Sequence, residues 1–278
     1  DQYESLATLQ FAERDADDVG KELEAIGFRV VRMRVGGPAD EPKPLTGGAI
    51  LNQVEKLCKL AEPDGALLFY FSGHGFETAD GRVYLCPFGT DPARLSSTGL
   101  DLEDVQKRLV GSGCQQRLLV VDMCRKQKDK SIAERELTLQ RFQQAQGTGL
   151  LFSTAPGTLS FEPEPGMKDE AGAVMQNGLF THYLLRGLRG EADRGRRAQK
   201  DGFVTFREVA YFVSDGLADL SLKHRTLEQR PYLRWDGTAE DVLLRVLPEP
   251  VAGSAAGTVP VAPPAAAPVV ATPAPSKP

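Results

Sequence analysis

Two uninterrupted apolar runs constrain this 278-residue chain more than any other feature. Leu118, Leu119, Val120 and Val121 make a run of strand length that breaks off in Asp122, Met123, Cys124 and Arg125. Residues 66–71 (A-L-L-F-Y-F) have the same character and end in Ser72-Gly73-His74-Gly75. Such runs fit strands buried on both faces, as in the middle of a parallel sheet. Open parallel sheets place ligands just beyond the carboxyl ends of their strands. Cys124 and His74 are thus each expected where a sheet presents its chemistry, and parallel neighbours would bring thiol and imidazole to one rim.

The intervening sequence supports that topology. Residues 13–26 carry Ala16, Val19, Leu23 and Ile26 at helical spacing, and Gly27 is a natural stop. Residues 28–35 alternate apolar residues with arginine, a pattern for a strand nearer an edge. A loop over 36–48 with three prolines contains Asp40 and leads to a helix with Ile50, Val54, Leu57 and Ala61 on one face. After the His74 strand, residues 82–87 read as a short strand, residues 101–110 as a helix, and then comes the Cys124 strand. Alternating helices and strands imply a parallel sheet with helical crossovers. Beyond a long basic, polar loop, residues 149–153 read as a buried strand and 178–188 as a helix. Thr205–Glu208 is a capping box opening another helix, and 231–233 and 242–247 are late strands.

Residues 248–278 are almost entirely Ala, Pro, Val, Gly, Ser and Thr, too poor in burial to offset ordering, and read as an extended linker with room for a further domain beyond it. The folded part is expected over 1–247. A net charge of −5 gives no basic footprint for nucleic acid, and no apolar run is long enough to cross a membrane. The four cysteines form no C-x-x-C pair and there are only three histidines, so no metal site is expected; free thiols suit a reducing, cytoplasmic compartment.

F-Y-F-S-G-H-G followed fifty residues later by V-V-D-M-C-R resembles the caspase-like cysteine peptidases, in particular the metacaspase and paracaspase branch (orthocaspase-like). F-A-E-R-D-A-D-D-V, N-G-L-F-T-H-Y-L-L-R-G-L and V-T-F-R-E-V-A-Y-F-V extend the resemblance from about Leu6 to Leu247. It implies an α/β, caspase-like sandwich with a central, mostly parallel β-sheet flanked by helices. Family members place a central strand just before the segment that opens here, and that strand is not in this sequence.

A free thiol has a pKa of about 8.5 and needs a neighbouring base near neutral pH. Cys124 is the expected nucleophile and His74 the general base and acid. The resemblance puts the backbone N–H groups of Gly75 and Cys124 in the oxyanion hole. It also gives Asp122 a role: this branch carries Asp two residues before the nucleophile and cleaves after Arg or Lys, a carboxylate holding a guanidinium by charge-assisted bonds. Glu162, Ser72 and Asp40 are further candidates for this S1 pocket. The expected partner is a protein or peptide with a basic P1 residue. Arg125, Lys126, Lys128, Lys130 and Arg135 lie just past the nucleophile and are candidate sites of self-processing. No cofactor is called for, and no D-x-D-x-D-G loop supports calcium activation. Arg125 stands where metacaspases often carry His. Two other readings stay open: a catalytically inactive caspase-like signalling module, and an α/β protein whose S-G-H-G turn binds a phosphorylated ligand.

Overall fold

The computed structural model describes residues 3–34, 45–78, 80–126, 147–155, 160–224, 227 and 229–248; of Cys124, Arg125, Lys126 and Thr238 only the backbone is described. Helix α1 (Ala12–Ala25) buries a stripe of Ala12, Asp15, Val19 and Leu23. Helix α2 (Gly47–Cys58) starts where the Thr46 hydroxyl accepts the Ala49 N–H and buries Ile50, Val54 and Cys58. Strand β1 (Ala66–Glu77) leads into β2 (Val83–Leu85), a short helix α3 (Leu95–Thr98), β3 (Leu100–Asp101) and helix α4 (Leu102–Gly111). Strands β4 (Gln116–Lys126) and β5 (Thr148–Phe152) follow, then helix α5 (Leu179–Leu188), β6 (Phe203–Thr205), helix α6 (Phe206–Lys223), β7 (Tyr232–Trp235) and β8 (Leu243–Val246).

The main sheet runs β3-β2-β1-β4-β5-β7. Its centre is parallel: β1 pairs with β4 from Ala66↔Gln116 to Phe76↔Lys126, and β4 with β5. Antiparallel β2 and β7 flank it, and β6 and β8 form a separate ladder. Alternation along β4 divides the interior. Leu118 and Val120 join a core with α1, α5 and α6, while Leu119, Val121 and Met123 join a second core with α2 and α4. Asp122 shares the phase of Leu118 and Val120, so a carboxylate points into the layer of α1 and α5. The result is a caspase-like α/β sandwich.

Four local outcomes bear on the sequence reading. The strand expected over 28–35 is not formed through Arg34: residues 28–34 have no regular secondary structure and join no ladder among the described residues. Strand β4 continues past its apolar run to Lys126, so Cys124 lies within the ladder rather than just beyond it. The Thr205–Glu208 capping box is present in full. Asp40, the basic segment from Lys128 to Arg135 and the linker from residue 249 lie outside the described residues. No helix among the described residues is long and apolar enough to cross a membrane.

Candidate active site

His74 and Cys124 occupy directly opposed positions of the β1–β4 parallel ladder. The register that starts at Ala66 and Gln116 therefore carries imidazole and thiol residues to the same level of the sheet. Side chains after β5 hold that level in place. The Ser153 hydroxyl accepts the Met123 N–H at 3.0 Å and donates to the Met123 carbonyl at 3.1 Å, and Thr154 Oγ1 donates to the same carbonyl at 3.3 Å. These bonds flank the nucleophile position on its N-terminal side.

The imidazole is gripped by the segment before α1. Nε2 lies 2.7 Å from the Ala7 carbonyl oxygen, which can only accept, so Nε2 carries the proton and the lone pair falls to Nδ1. The Tyr3 hydroxyl accepts the His74 backbone N–H at 3.2 Å, and its ring sits 4.7 Å from the imidazole. Burial pushes the Tyr3 phenol up to about 12, so it stays neutral. The Cys86 N–H donates to the His74 carbonyl at 2.9 Å, fixing the other edge of β1. A Cβ at Gly75 would overlap Met123 Sδ, so a glycine there lets the two strands pack without displacing that side chain.

Two residues before Cys124, Asp122 is buried, with 6% of its surface exposed. Its Oδ1 accepts from Ser160 Oγ and its Oδ2 from Thr181 Oγ1, both at 2.9 Å. Facing it is a second buried acid that the sequence reading did not single out, Asp15 of α1, 2% exposed. Asp15 accepts from Ser72 Oγ and from the Gly178 N–H, each at 3.1 Å. A methyl built on Gly178 would lie 3.0 Å from Asp15 Oδ2 and 3.3 Å from Asp122 Oδ2, so both carboxylates look at one spot. Burial first, and then the Asp122 charge, push Asp15 up to about 8. Burial also raises Asp122 above the ordinary carboxylate range, against the pull of its hydroxyl donors.

The candidates for one acidic pocket therefore separate. Ser72 and Asp122 meet, with Asp15 between them. Glu162 sits at the start of α1, where its Oε1 accepts the N–H groups of Gln10 and Phe11 at 2.8 and 3.2 Å. It acts on the helix that carries Asp15, and its recorded bonds do not reach the Asp15–Asp122 pair. A signal for Asp15 was in the sequence: an acid at 15 falls on the same helical phase as Ala12, Val19 and Leu23, where a core residue belongs. Gln229 is also new. Buried to 1% exposure, it bonds the Ser153 carbonyl, Ser160 Oγ and the Phe161 N–H, tying the segment at 160–161 to the end of β5. Elsewhere, Asp193, Asp201 and Glu208 gather their carboxylates within 4.8 Å of one another. They accept N–H groups of Asp201, Phe203, Gln199 and Thr205, which gives the cluster a structural task in the turn before β6.

The geometry can be set beside known proteins. The crystal structure of a caspase-1 from Spodoptera frugiperda superposes with a TM-score of 0.52 over 85% of this chain and 82% of that one, at 17% sequence identity, a likeness of fold. No curated protein matches the sequence. The caspase domain family matches residues 1–239, the whole span from α1 to β7. An imidazole and a thiol residue set level on two parallel strands thus sit inside the part of the sequence that the family accounts for: the chain belongs to the caspase domain family and carries a caspase-like cysteine peptidase domain.

Proposed function

We propose that this protein is a cysteine endopeptidase that hydrolyses peptide bonds after Arg or Lys through a Cys124–His74 dyad. The observation that carries the reading is the β1–β4 register, which sets His74 opposite Cys124 and Ser72 opposite Asp122. Nucleophile and specificity acid then belong to one strand, two residues apart, and their partners belong to the next.

In this mechanism His74 Nδ1 takes the thiol proton while Nε2–H stays bonded to Ala7, which keeps the tautomer correct. The Cys124 thiolate attacks the scissile carbonyl, and the N–H groups of Gly75 and Cys124 stabilise the oxyanion. The imidazolium returns its proton to the leaving amine, and water releases the acyl group. The chemistry calls for no cofactor. Asp122, Asp15 and Ser72 form the floor of an S1 pocket suited to a guanidinium or ammonium. Two acids in one pocket repel an acidic P1 side chain. The same preference makes Arg125, Lys126, Lys128, Lys130 and Arg135, just past the nucleophile, candidate sites of self-cleavage.

The test is hydrolysis of fluorogenic peptides with Arg, Lys or Asp at P1 by the wild type and by Cys124→Ala. Turnover of Arg and Lys peptides that vanishes in the variant supports the proposal. Preference for Asp overturns the specificity, and turnover that survives in Cys124→Ala overturns the dyad. Intact mass after incubation, wild type beside Cys124→Ala, reports self-cleavage.

A further inference from the structure

The proposed S1 floor holds two acids and, among the described residues, no base. Asp15 and Asp122 are both buried, aim Oδ2 at one point, and receive hydroxyl and amide donors: Ser72, the Gly178 N–H, Ser160 and Thr181. Among the described residues no Lys, Arg or His pairs with either carboxylate. Two facing carboxylates without a cation cannot both ionise cheaply; one proton shared between them relieves the repulsion.

We propose that the empty pocket carries one proton shared by Asp15 and Asp122, and that a basic P1 side chain displaces it. The inference rests on the S1 assignment above. In the empty pocket the pair has a charge of −1. When a guanidinium enters, its positive charge favours the doubly ionised pair, the carboxyl O–H bond breaks, and the proton leaves to solvent. Protein with its bound proton plus cationic side chain gives complex plus one free proton, so charge and atoms balance. The guanidinium takes over the attraction that the proton supplied, and brings more donors than the proton did.

The direction of the Asp15 shift agrees, since burial and the Asp122 charge hold its proton up to about pH 8. Other ionisable groups pack around the pair. Tyr70 on β1, bonded to Thr181, is driven well above the ordinary phenol value by burial and by both carboxylates. Asp18 on α1 is paired with Lys21 and Arg14 and lies below the ordinary carboxylate range despite its partial burial, through its bonds to Lys21 and Asn177. His182 on α5 is held below the usual imidazole value by burial and faces Asp169 and Arg186. Glu162 lies at the α1 start, bonded to backbone. His74 and Cys124 are two residues beyond the pocket on β1 and β4, so the test must separate their protons from this one.

The experiment is calorimetric binding of a short peptide amide with P1 arginine to the full chain carrying Cys124→Ala, which cannot turn it over. Titrations at pH 7.5 in buffers of different ionisation enthalpy read the protons released. The expected result is release approaching one proton per peptide, with apparent Kd weakening about tenfold per unit as pH falls below about 8. A citrulline peptide, neutral and of similar shape, should bind with little release. Adding Asp15→Asn should leave arginine binding measurable while abolishing release, although His74 is still present. Arginine binding without release, or release that persists in Asp15→Asn, overturns the shared proton and leaves the S1 reading standing. Failure of the arginine peptide to bind overturns the S1 reading and the inference with it. If Asp15→Asn does not fold, the arginine–citrulline comparison alone decides the matter.

Discussion

Replacing Asp15 by asparagine should stabilise the fold at alkaline pH and hardly affect it in mild acid. The folded protein keeps the Asp15 proton up to about pH 8, whereas the free side chain releases it near 3.8. Between those values the folded state binds a proton that the unfolded state lacks, so this group makes stability fall as pH rises. The penalty is absent below pH 3.8, grows through the window, and is complete above pH 8. A shift of this size corresponds to about 6 kcal/mol at full face value. An interior that responds like a medium of higher effective dielectric leaves roughly 2–3 kcal/mol. Asparagine keeps an oxygen to accept the Gly178 N–H, and its amide can donate toward Asp122 as the carboxyl proton does. Near pH 4 the two chains should therefore melt within a few degrees of each other, while at pH 8.5 the variant should melt about 5–10 °C higher. Thermal unfolding followed by circular dichroism across pH 4–9 measures both curves. A wild-type curve parallel to that of the variant across the whole range would refute the reasoning, because Asp15 would then ionise in the fold as it does in the open chain.

Three further outcomes follow from the pocket walls. Gly178→Ala places a methyl 3.0 Å from Asp15 Oδ2 and 3.3 Å from Asp122 Oδ2, in a backbone conformation that alanine accepts; KM for an arginine substrate should rise about 10-fold or more while kcat holds, and steady-state kinetics would show it. Glu162→Ala removes the acceptor of the Gln10 and Phe11 N–H groups and should cost about 1–2 kcal/mol in urea unfolding, whereas Glu162→Gln, which keeps an oxygen there, should cost less than half of that. Gln229→Ala strips bonds from the Ser153 carbonyl, Ser160 and the Phe161 N–H at a position 1% exposed; it should cost about 2–4 kcal/mol and loosen arginine discrimination, read as a smaller Arg-over-citrulline preference in peptide binding.

The parts of this structure that could be read from sequence are those whose cause is local. The run around Leu118 announces a strand buried on both faces, and the run around Leu68 announces a strand that is only half-buried over its apolar stretch; both strands continue past their apolar runs, through His74 and Cys124. The capping box at Thr205 is legible because its two partners are three residues apart. Pairings across the chain were not. Asp15 and Gly178 are 163 residues apart, and Gln229 and Ser153 are 76 apart. No window of sequence contains both members of either pair. Glu162 shows the converse: a loop acid near a pocket motif invites assignment to the pocket, while its carboxylate satisfies the start of a helix. Asp15 was the readable exception, since an acid on the apolar phase of an amphipathic helix must have a reason to be there.

That reason also explains how a pocket can demand a cation. Carboxylates in protein interiors are ordinarily neutralised by a neighbouring Arg or Lys, and a pocket furnished that way has no further use for a basic ligand. Among the described residues the fold supplies hydroxyl and backbone N–H donors instead, from Ser72, Ser160, Thr181 and Gly178. These donors are strong enough to hold two acids in place and too weak to cancel their charge. Thr181 adds a second constraint, because its hydroxyl contacts both Asp122 and the Tyr70 phenol, at 2.9 and 2.7 Å, and so ties α5 to both central strands. On the proposed S1 assignment, specificity comes from the charge that the fold withholds, and the instability predicted for Asp15 at alkaline pH is the cost of leaving that charge to the substrate.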